Sequence, residues 1–134
     1  MFTELSISRT PCYGECPVYE VVVHHDGEVK WTGHEFVDHL GESHFRISPE
    51  QVKQIETLLE IFDYRSFCYP ESDVFATDQP SCITNVVFKD GFEKEIDHYL
   101  GDSQINPNDH QHSFENLEKL EEKLEQILGL EKYI

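Results

Sequence analysis

Three absences limit what this sequence can do. No apolar run approaches the roughly 18 residues of a membrane-spanning helix, so we expect no membrane association. No nucleophile elbow, phosphate-binding P-loop, dinucleotide fingerprint or HExxH sequence is present, which favours a protein that is not an enzyme. Basic residues are scarce, with 10 Lys and Arg against 27 Asp and Glu and a formal net charge of −17. A nucleic-acid backbone would be repelled by that charge, so we predict no direct nucleic-acid binding.

The length and the first residues of the chain set further expectations. A chain of 134 residues is long enough to bury one core without help from disulfides or metal, so we predict a single domain over residues 1–134. Its first ten residues, MFTELSISRT, show no basic stretch followed by an apolar one. We therefore expect a cytoplasmic protein.

Two stretches have the same pattern, a β-rich run, then Asp-Gly, then a second β-rich run. They are VVVHHDGEVKWTGHE at 21–35 and NVVFKDGFEKEIDHY at 85–99. Asp-Gly favours the positive φ values of tight hairpin turns, so each stretch predicts a β-hairpin. A helix follows each hairpin: Ser48 and Pro49 are typical of a helix start, and Ser113 is the expected cap of the second helix. Gly129 is the expected stop of that second helix.

These elements predict an α+β fold. We expect an antiparallel sheet of about five or six strands, with both helices packed on one face. The extra strands come from FTELSIS and SHFRI, where apolar residues alternate, while 65–82 and 101–112 are predicted loops. The two hairpin-helix units also suggest a tandem duplication with pseudo-repeats at 1–64 and 65–134. The leucine stripe of the last helix predicts that it docks on its own sheet.

The sequence RTPCYGECPVYEVVVHHDGEVKWTG, together with the later ATDQP and HYLGD, resembles a bacterial family known only as domain of unknown function 6438. The resemblance extends over nearly the whole chain. It implies no activity, but it singles out positions as a family site. The matching positions are Arg9, Thr10, Cys12, Gly14, Cys16, Pro17, Tyr19, Asp26, Gly27, Gly33, Thr77, Asp78, His98, Tyr99 and Gly101. Many relatives look like exported proteins, and the resemblance raises a disulfide between Cys12 and Cys16 as one state of that pair.

The spacing of Cys12 and Cys16 leaves several chemistries open. Gly14 between them lets the chain fold tightly enough for both sulfurs to meet each other or one metal ion. The pair could be a local staple, a thiol-disulfide couple, or half of a zinc site. Either cysteine with His98 and Asp78 would also supply the residue types of a nucleophilic site, although no local signature accompanies them.

Histidine offers a weaker metal hypothesis. His110 and His112 share one loop and could bind a metal together, either alone or with Cys12 and Cys16. No cofactor is the first expectation, and zinc at these four residues is the alternative.

The expected function follows from the charge. A small acidic domain without a catalytic signature is typical of proteins that occupy a basic surface on another protein, as inhibitors, immunity proteins and nucleic-acid mimics do. Our first hypothesis is such a protein-binding module. The alternative is a Cys/His site at Cys12 and Cys16 that binds zinc or acts as a thiol-disulfide pair.

Overall fold

The computed structural model describes all of residues 1–134 and has the α+β fold that the sequence predicts. Six antiparallel strands form the main sheet, in the order β4-β3-β2-β1-β6-β7, and two short strands form a second sheet. The elements in chain order are β1 (Phe2–Arg9), β2 (Val18–His24), β3 (Glu28–Glu35), β4 (Gly41–Arg46), α1 (Pro49–Phe62), β5 (Val74–Phe75), β6 (Ser81–Phe88), β7 (Glu93–Tyr99), β8 (Asp102–Ser103) and α2 (Phe114–Leu128).

Both predicted hairpins form, and their turns have the same construction. Gly27 and Gly91 adopt φ values of 97° and 89°, which L side chains rarely reach. Asp26 Oδ1 accepts a hydrogen bond from the Glu28 amide, and Asp90 Oδ1 accepts one from the Phe92 amide. At Gly27 a Cβ atom would also lie only 2.6 Å from the Ile47 carbonyl oxygen. The Asp-Gly pairs therefore reverse the chain as their sequence requires.

Both helices begin, and α2 ends, where the capping residues predict. Ser48 accepts a hydrogen bond from the Gln51 amide while the Gln51 side chain accepts one from the Ser48 amide, a capping box. Ser113 accepts from the Asn116 amide, and Gly129 ends α2 in the left-handed region. Both helices turn their apolar stripes to the sheet.

One face of the sheet is covered and the other is open. In β1, β2, β3, β6 and β7 buried positions alternate with more exposed ones, and apolar residues of the buried set join those of the helices in one core of 24 residues. Tyr19 stacks on Trp31 in this core, with ring centroids 4.7 Å apart. The prediction that both helices pack on the same face is confirmed, because only one of the two alternating sets is covered.

The predicted loops hold more structure than expected. Residues 65–82 contain β5, and 101–112 contain β8; the two strands pair antiparallel, with Val74 opposite Ser103 and Phe75 opposite Asp102. Strands of two residues are too short to show alternation, so no sequence pattern could reveal them.

The tandem duplication stays a prediction. Each half holds a hairpin followed by a helix, but the first half gives the main sheet four strands and the second gives it two. No helix of the chain is both long enough and apolar enough to cross a membrane.

Candidate functional site

The cysteine pair lies in the loop that joins β1 to β2. Cys12 and Cys16 form a disulfide, and their Cα atoms are 5.7 Å apart. Tyr13, inside the closed loop, is 88% exposed. In this state neither sulfur is a thiolate, so the pair can neither ligate a metal nor act as a nucleophile without first being reduced.

The residues on either side of that loop begin a polar row across the covered face of the sheet. Arg9, the last residue of β1, pairs with Tyr19 on β2 and with Cys82 on β6. Cys82 in turn pairs with His98 on β7. Because directly paired residues project to the same face of a sheet, Tyr19, Arg9, Cys82 and His98 form one row under the helices.

Helix α2 places two carboxylates against this row. Glu121 and Glu125 are four residues apart, one helical turn, so both point to the same side of α2. Arg9 donates from Nε to Glu125 Oε2 at 2.9 Å and from a terminal nitrogen to Oε1 at 2.8 Å. His98 Nδ1 lies 2.7 Å from Glu121 Oε2. The row thus holds two acid-base pairs side by side.

The Arg9–Glu125 pair is a fixed ionic contact. The Tyr19 hydroxyl donates to Glu125 and accepts from Arg9 Nε, so all three side chains are joined. Burial would lower the pKa of Arg9, but the hydrogen bond and charge of Glu125 outweigh it and hold that pKa above its ordinary value. Burial and then the Glu125 charge raise the pKa of Tyr19. Arg9 is therefore a permanent cation and Tyr19 a permanent donor at physiological pH.

The His98–Glu121 pair is more deeply enclosed and less completely satisfied. His98 is 3% exposed and Glu121 is 1% exposed. Burial raises the pKa of Glu121, and the hydrogen bond with His98 acts against that rise. Glu121 Oε1 is the one enclosed side-chain oxygen or nitrogen of the protein that has no hydrogen-bond partner. A buried polar atom without a partner costs stability and often marks a functional position.

Cys82 lies between the two pairs but does not form an activated nucleophile. Burial raises the pKa of its thiol, and the Glu121 charge raises it further. The thiol is fully enclosed. Cys82, His98 and Glu121 have the residue types of a catalytic triad, but a protonated thiol closed off from solvent cannot attack a substrate.

A cleft opens beside His98, between the start of α2 and the β8 region. Its volume is about 400 Å³. Its walls carry the carboxylates of Asp102, Glu115 and Glu118 and no Lys or Arg. The Phe114 ring lies parallel to the His98 imidazole, with an interplanar angle of 9° and centroids 5.8 Å apart.

The family-site residues that the resemblance singled out do not all lie together. Arg9, Tyr19 and His98 meet in the polar row. Tyr99 faces the opposite side of β7, where its hydroxyl donates to the Ala76 carbonyl oxygen and accepts a hydrogen bond from the Gln79 amide at 3.4 Å. It thereby holds the exposed loop that contains Thr77 and Asp78.

Thr10, Gly14 and Pro17 lie in the loop between β1 and β2. Thr10 Oγ1 accepts a hydrogen bond from the Ser81 amide at 2.8 Å and ties the end of β1 to β6. Gly14 is exposed in the disulfide loop, where no atom lies within 4 Å of a Cβ position, and Pro17 leads from that loop into β2.

The predicted metal residues do not form a cluster. His112 Nδ1 accepts a hydrogen bond from the Cys68 amide at 2.9 Å, and the His110 carbonyl oxygen accepts one from Ser113 Oγ. No group of three His, Cys, Asp or Glu side chains in the chain is arranged to hold a metal ion.

Sequence reasoning missed Cys82, Glu121 and Glu125. Glu121 did carry a signal, because it is an acid inside the apolar stripe of α2, flanked by Leu117 and Leu124 on the same helix face. Cys82 continues the buried alternation of β6 and so looks like an ordinary core residue. Only the docking of α2 shows which strand residues the two glutamates meet.

The open face of the sheet is the second candidate surface. It carries seven exposed carboxylates: Glu4, Glu20, Glu28, Glu42, Glu93, Glu95 and Asp97. On β2 to β4 the carboxylates contact Lys30, His34, His44 and Arg46. On β7, Glu93, Glu95 and Asp97 form a ladder without any ion-pair partner, beside the half-buried Ile83 and Val87 of β6.

A family model matches nearly the whole chain. The family described as Domain of unknown function (DUF6438) matches residues 3–128. No curated protein matches this chain.

Proposed function

Since the chain belongs to the DUF6438 family, whose description names no activity, we propose its function from the geometry: a non-enzymatic module that binds a basic surface of another protein through the open face of its sheet. The unpaired ladder of Glu93, Glu95 and Asp97 is the observation that carries the proposal. This role is that of an inhibitor, an immunity protein or a nucleic-acid mimic.

A basic protein surface is the expected partner, because the charged side chains of the open face that have no ion-pair partner are all carboxylates. Carboxylates that already form ion pairs gain little binding energy from a second basic partner, whereas no basic side chain neutralises the charge of the β7 ladder. Ile83 and Val87 give the surface an apolar strip next to the ladder, as protein interfaces combine an apolar centre with a charged rim. Carboxylates on an edge strand also discourage unwanted strand pairing, and a basic partner could use the same charges.

The test compares three baits. The first is the wild-type protein, the second carries Glu93→Gln, Glu95→Gln and Asp97→Asn, and the third carries Glu50→Gln, Glu60→Gln and Glu122→Gln on the exposed sides of the helices. Both variants remove three carboxylates, so the overall charge is matched and only the location differs. Circular dichroism and thermal unfolding would establish that all three baits are folded.

The expected result is a protein recovered from a lysate of the source organism by the wild-type and helix-side baits and lost with the ladder variant. Raising the salt should also release it, because the Debye length falls from roughly 30 Å at 0.01 M to about 8 Å at 0.15 M. Equal recovery on all three baits, recovery that does not respond to salt, or no recovery would overturn the proposal.

A second candidate function is a thiol-disulfide pair at Cys12 and Cys16, favoured by the disulfide in an exposed loop. Exchange with an external dithiol would give two thiols on this chain and a disulfide on the reductant. Titration in dithiol buffers, followed by alkylation and mass measurement, gives the potential of the pair. A potential far below that of the cellular thiol pool would make it a structural staple instead.

The zinc form of this alternative has a separate test. Reduced Cys12 and Cys16 would need two further ligands, such as His110 and His112. Elemental analysis of the reduced protein after incubation with zinc would show one equivalent of metal bound, and none in the Cys12→Ser, Cys16→Ser variant. Absence of stoichiometric zinc would end this form of the proposal.

A cytoplasmic location belongs to the same proposal, and the cysteines make it testable. In a reducing compartment Cys12 and Cys16 would be mainly thiols. Rapid alkylation of intact cells, followed by mass measurement, should therefore find both cysteines alkylated. Finding the pair oxidised in every molecule would place the protein in an oxidising compartment.

A further inference from the structure

The cleft beside His98 combines a ring nitrogen that has no hydrogen-bond partner in the protein with carboxylate walls. His98 Nε2 forms no hydrogen bond within the protein. Glu121 Oε1 is the one fully enclosed side-chain polar atom without a partner, so Nε2 must keep access to solvent although its residue is 3% exposed. Because His98 lines the cleft, that access is through the cleft.

The contact with Glu121 determines whether His98 Nε2 can accept a hydrogen bond. A neutral imidazole that donates its Nδ1 proton to the Glu121 carboxylate keeps a free lone pair on Nε2. Phe114 lies parallel to the ring on one side, and Tyr69 approaches it edge-on with centroids 6.5 Å apart. These two rings and the contact with Glu121 therefore hold the imidazole in place beside the cleft.

The rest of the cleft selects a cation with an apolar body. Glu118 has no ion-pair partner, the Asp102 carboxylate accepts a hydrogen bond from the Tyr69 hydroxyl at 2.6 Å, and Glu115 contacts the exposed Lys119 at 3.3 Å. Ile105 supplies apolar surface. An anion would face three carboxylates, and a metal ion would lack a third grouped ligand.

We propose that this cleft binds a primary alkylammonium group, whose N–H donors reach His98 Nε2 and Glu118 while its alkyl chain lies against Phe114 and Ile105. A free amine and the side chain of a lysine in a peptide carry the same group. Two probes separate these sources: pentylammonium for the free amine, and Nα-acetyl-lysine methylamide for the lysine side chain.

The experiment follows the histidine ring signals by NMR in about 0.15 M salt, where long-range attraction is screened. The protein has eight histidines, so the seven others report any general attraction of cations to an acidic protein. We expect saturable shifts at His98 alone. The probe that saturates His98 identifies the source of the amine, and saturation by both shows that the ammonium group suffices.

Matched controls separate the hydrogen bond from the charge. Pentyltrimethylammonium keeps the positive charge but has no N–H donor, so it should bind about tenfold more weakly. Glu118→Gln, which removes a cleft carboxylate, should weaken binding about threefold to fivefold, and Glu122→Gln, an exposed change on the same helix outside the cleft, should have no effect.

Three results would overturn the proposal: parallel shifts of all histidines, no shift of His98 with either probe, or equal binding of the trimethyl analogue. The proposed partner surface does not affect this test. The ladder variant of β7 leaves the cleft residues unchanged, so loss of the protein partner and loss of amine binding are distinguishable outcomes.

Discussion

Arg9, Tyr19 and Glu125 show how the ends of two strands are fastened to a helix. The guanidinium uses two donors on one carboxylate, and the phenol hydroxyl completes the group. The Arg9 side chain is 19% exposed and that of Glu125 is 16% exposed, so water screens the pair only partly. Removing one partner leaves the other charge largely buried and alone.

We predict that Glu125→Ala lowers the free energy of unfolding by about 3 kcal/mol, because Arg9 and Tyr19 lose their common acceptor. Glu122→Ala, an exposed control on the same helix, should change it by less than about 0.5 kcal/mol. Urea unfolding measures both. The double variant Arg9→Leu, Glu125→Leu should recover much of the loss, and equal effects of the two alanine variants would contradict the role given to Glu125.

Glu121 makes the free energy of unfolding fall as the pH rises. Burial raises the pKa of Glu121 in the folded protein above its unfolded value, and the hydrogen bond with His98 acts against that rise. The contribution of Glu121 to stability is therefore complete below the unfolded pKa of roughly 4.3. It is lost as the pH rises through the folded pKa. The charged and titratable groups around it are Arg9, Cys82, His98 and Glu125.

We therefore predict that Glu121→Gln gains stability relative to the wild type as pH rises from about 4 to 8. The glutamine oxygen still accepts the His98 Nδ1 proton, but no carboxylate remains to be charged in the core. The expected gain is about 1.4 kcal/mol for each unit by which the folded pKa is displaced. Urea unfolding of both proteins across this pH range measures it, and a constant difference would contradict the prediction.

At the scale of elements, the register of the strands and the docking of α2 together make the polar row. Residues distant in sequence, Arg9, Cys82 and His98, become neighbours because β6 pairs with β1 on one side and β7 on the other. A shift of one residue in either pairing would move one of them to the open face. The disulfide loop sits at the end of β1 and β2, where it joins the first two strands of the row.

We predict that reducing the Cys12–Cys16 bond lowers the free energy of unfolding by about 2 kcal/mol or less and leaves the secondary structure unchanged. The bond closes a loop of only five residues, and a short loop restricts the unfolded chain little. Urea unfolding with and without a phosphine reductant measures the change. The Cys12→Ser, Cys16→Ser variant should not respond to the reductant, and unfolding on reduction would show that the loop holds the sheet together.

At the scale of the whole molecule, the distribution of charge matters more than its sum. The folded chain brings 27 acids and 10 bases onto one compact body, so repulsion opposes folding. The core of 24 buried residues must outweigh that repulsion. The three acids of the β7 ladder have no ion-pair partner, so this strand contributes strongly to the repulsion.

We predict that raising the salt from about 0.01 M to 0.15 M raises the midpoint of thermal unfolding by about 2–5 °C, because the Debye length shortens and carboxylates repel each other less. The ladder variant, Glu93→Gln, Glu95→Gln and Asp97→Asn, should gain less from added salt than the wild type does. Calorimetry on both proteins measures this. A midpoint that falls with salt would show that attractive ion pairs dominate.

The sequence by itself determined the fold class, both hairpins, both helices and their caps. Each of these depends on local signals such as Asp-Gly turns, Ser caps and apolar alternation, which act over a few residues. The resemblance also singled out Arg9, Tyr19 and His98, three members of the polar row. The sequence did not show that these three residues lie together, because no local signal in it gives the order of the strands in the sheet.

Only the tertiary structure decided the partners of those residues. Cys82 entered the row when β6 paired with β1 and β7, and Glu121 and Glu125 met the row when α2 docked over the sheet. The short strands β5 and β8 formed because their segments were brought together. Long-range pairings of this kind are set by the packing of the whole core and leave no periodic trace in the chain. The same packing left one sheet face open and one cleft beside His98, which are the two surfaces to which we assign binding.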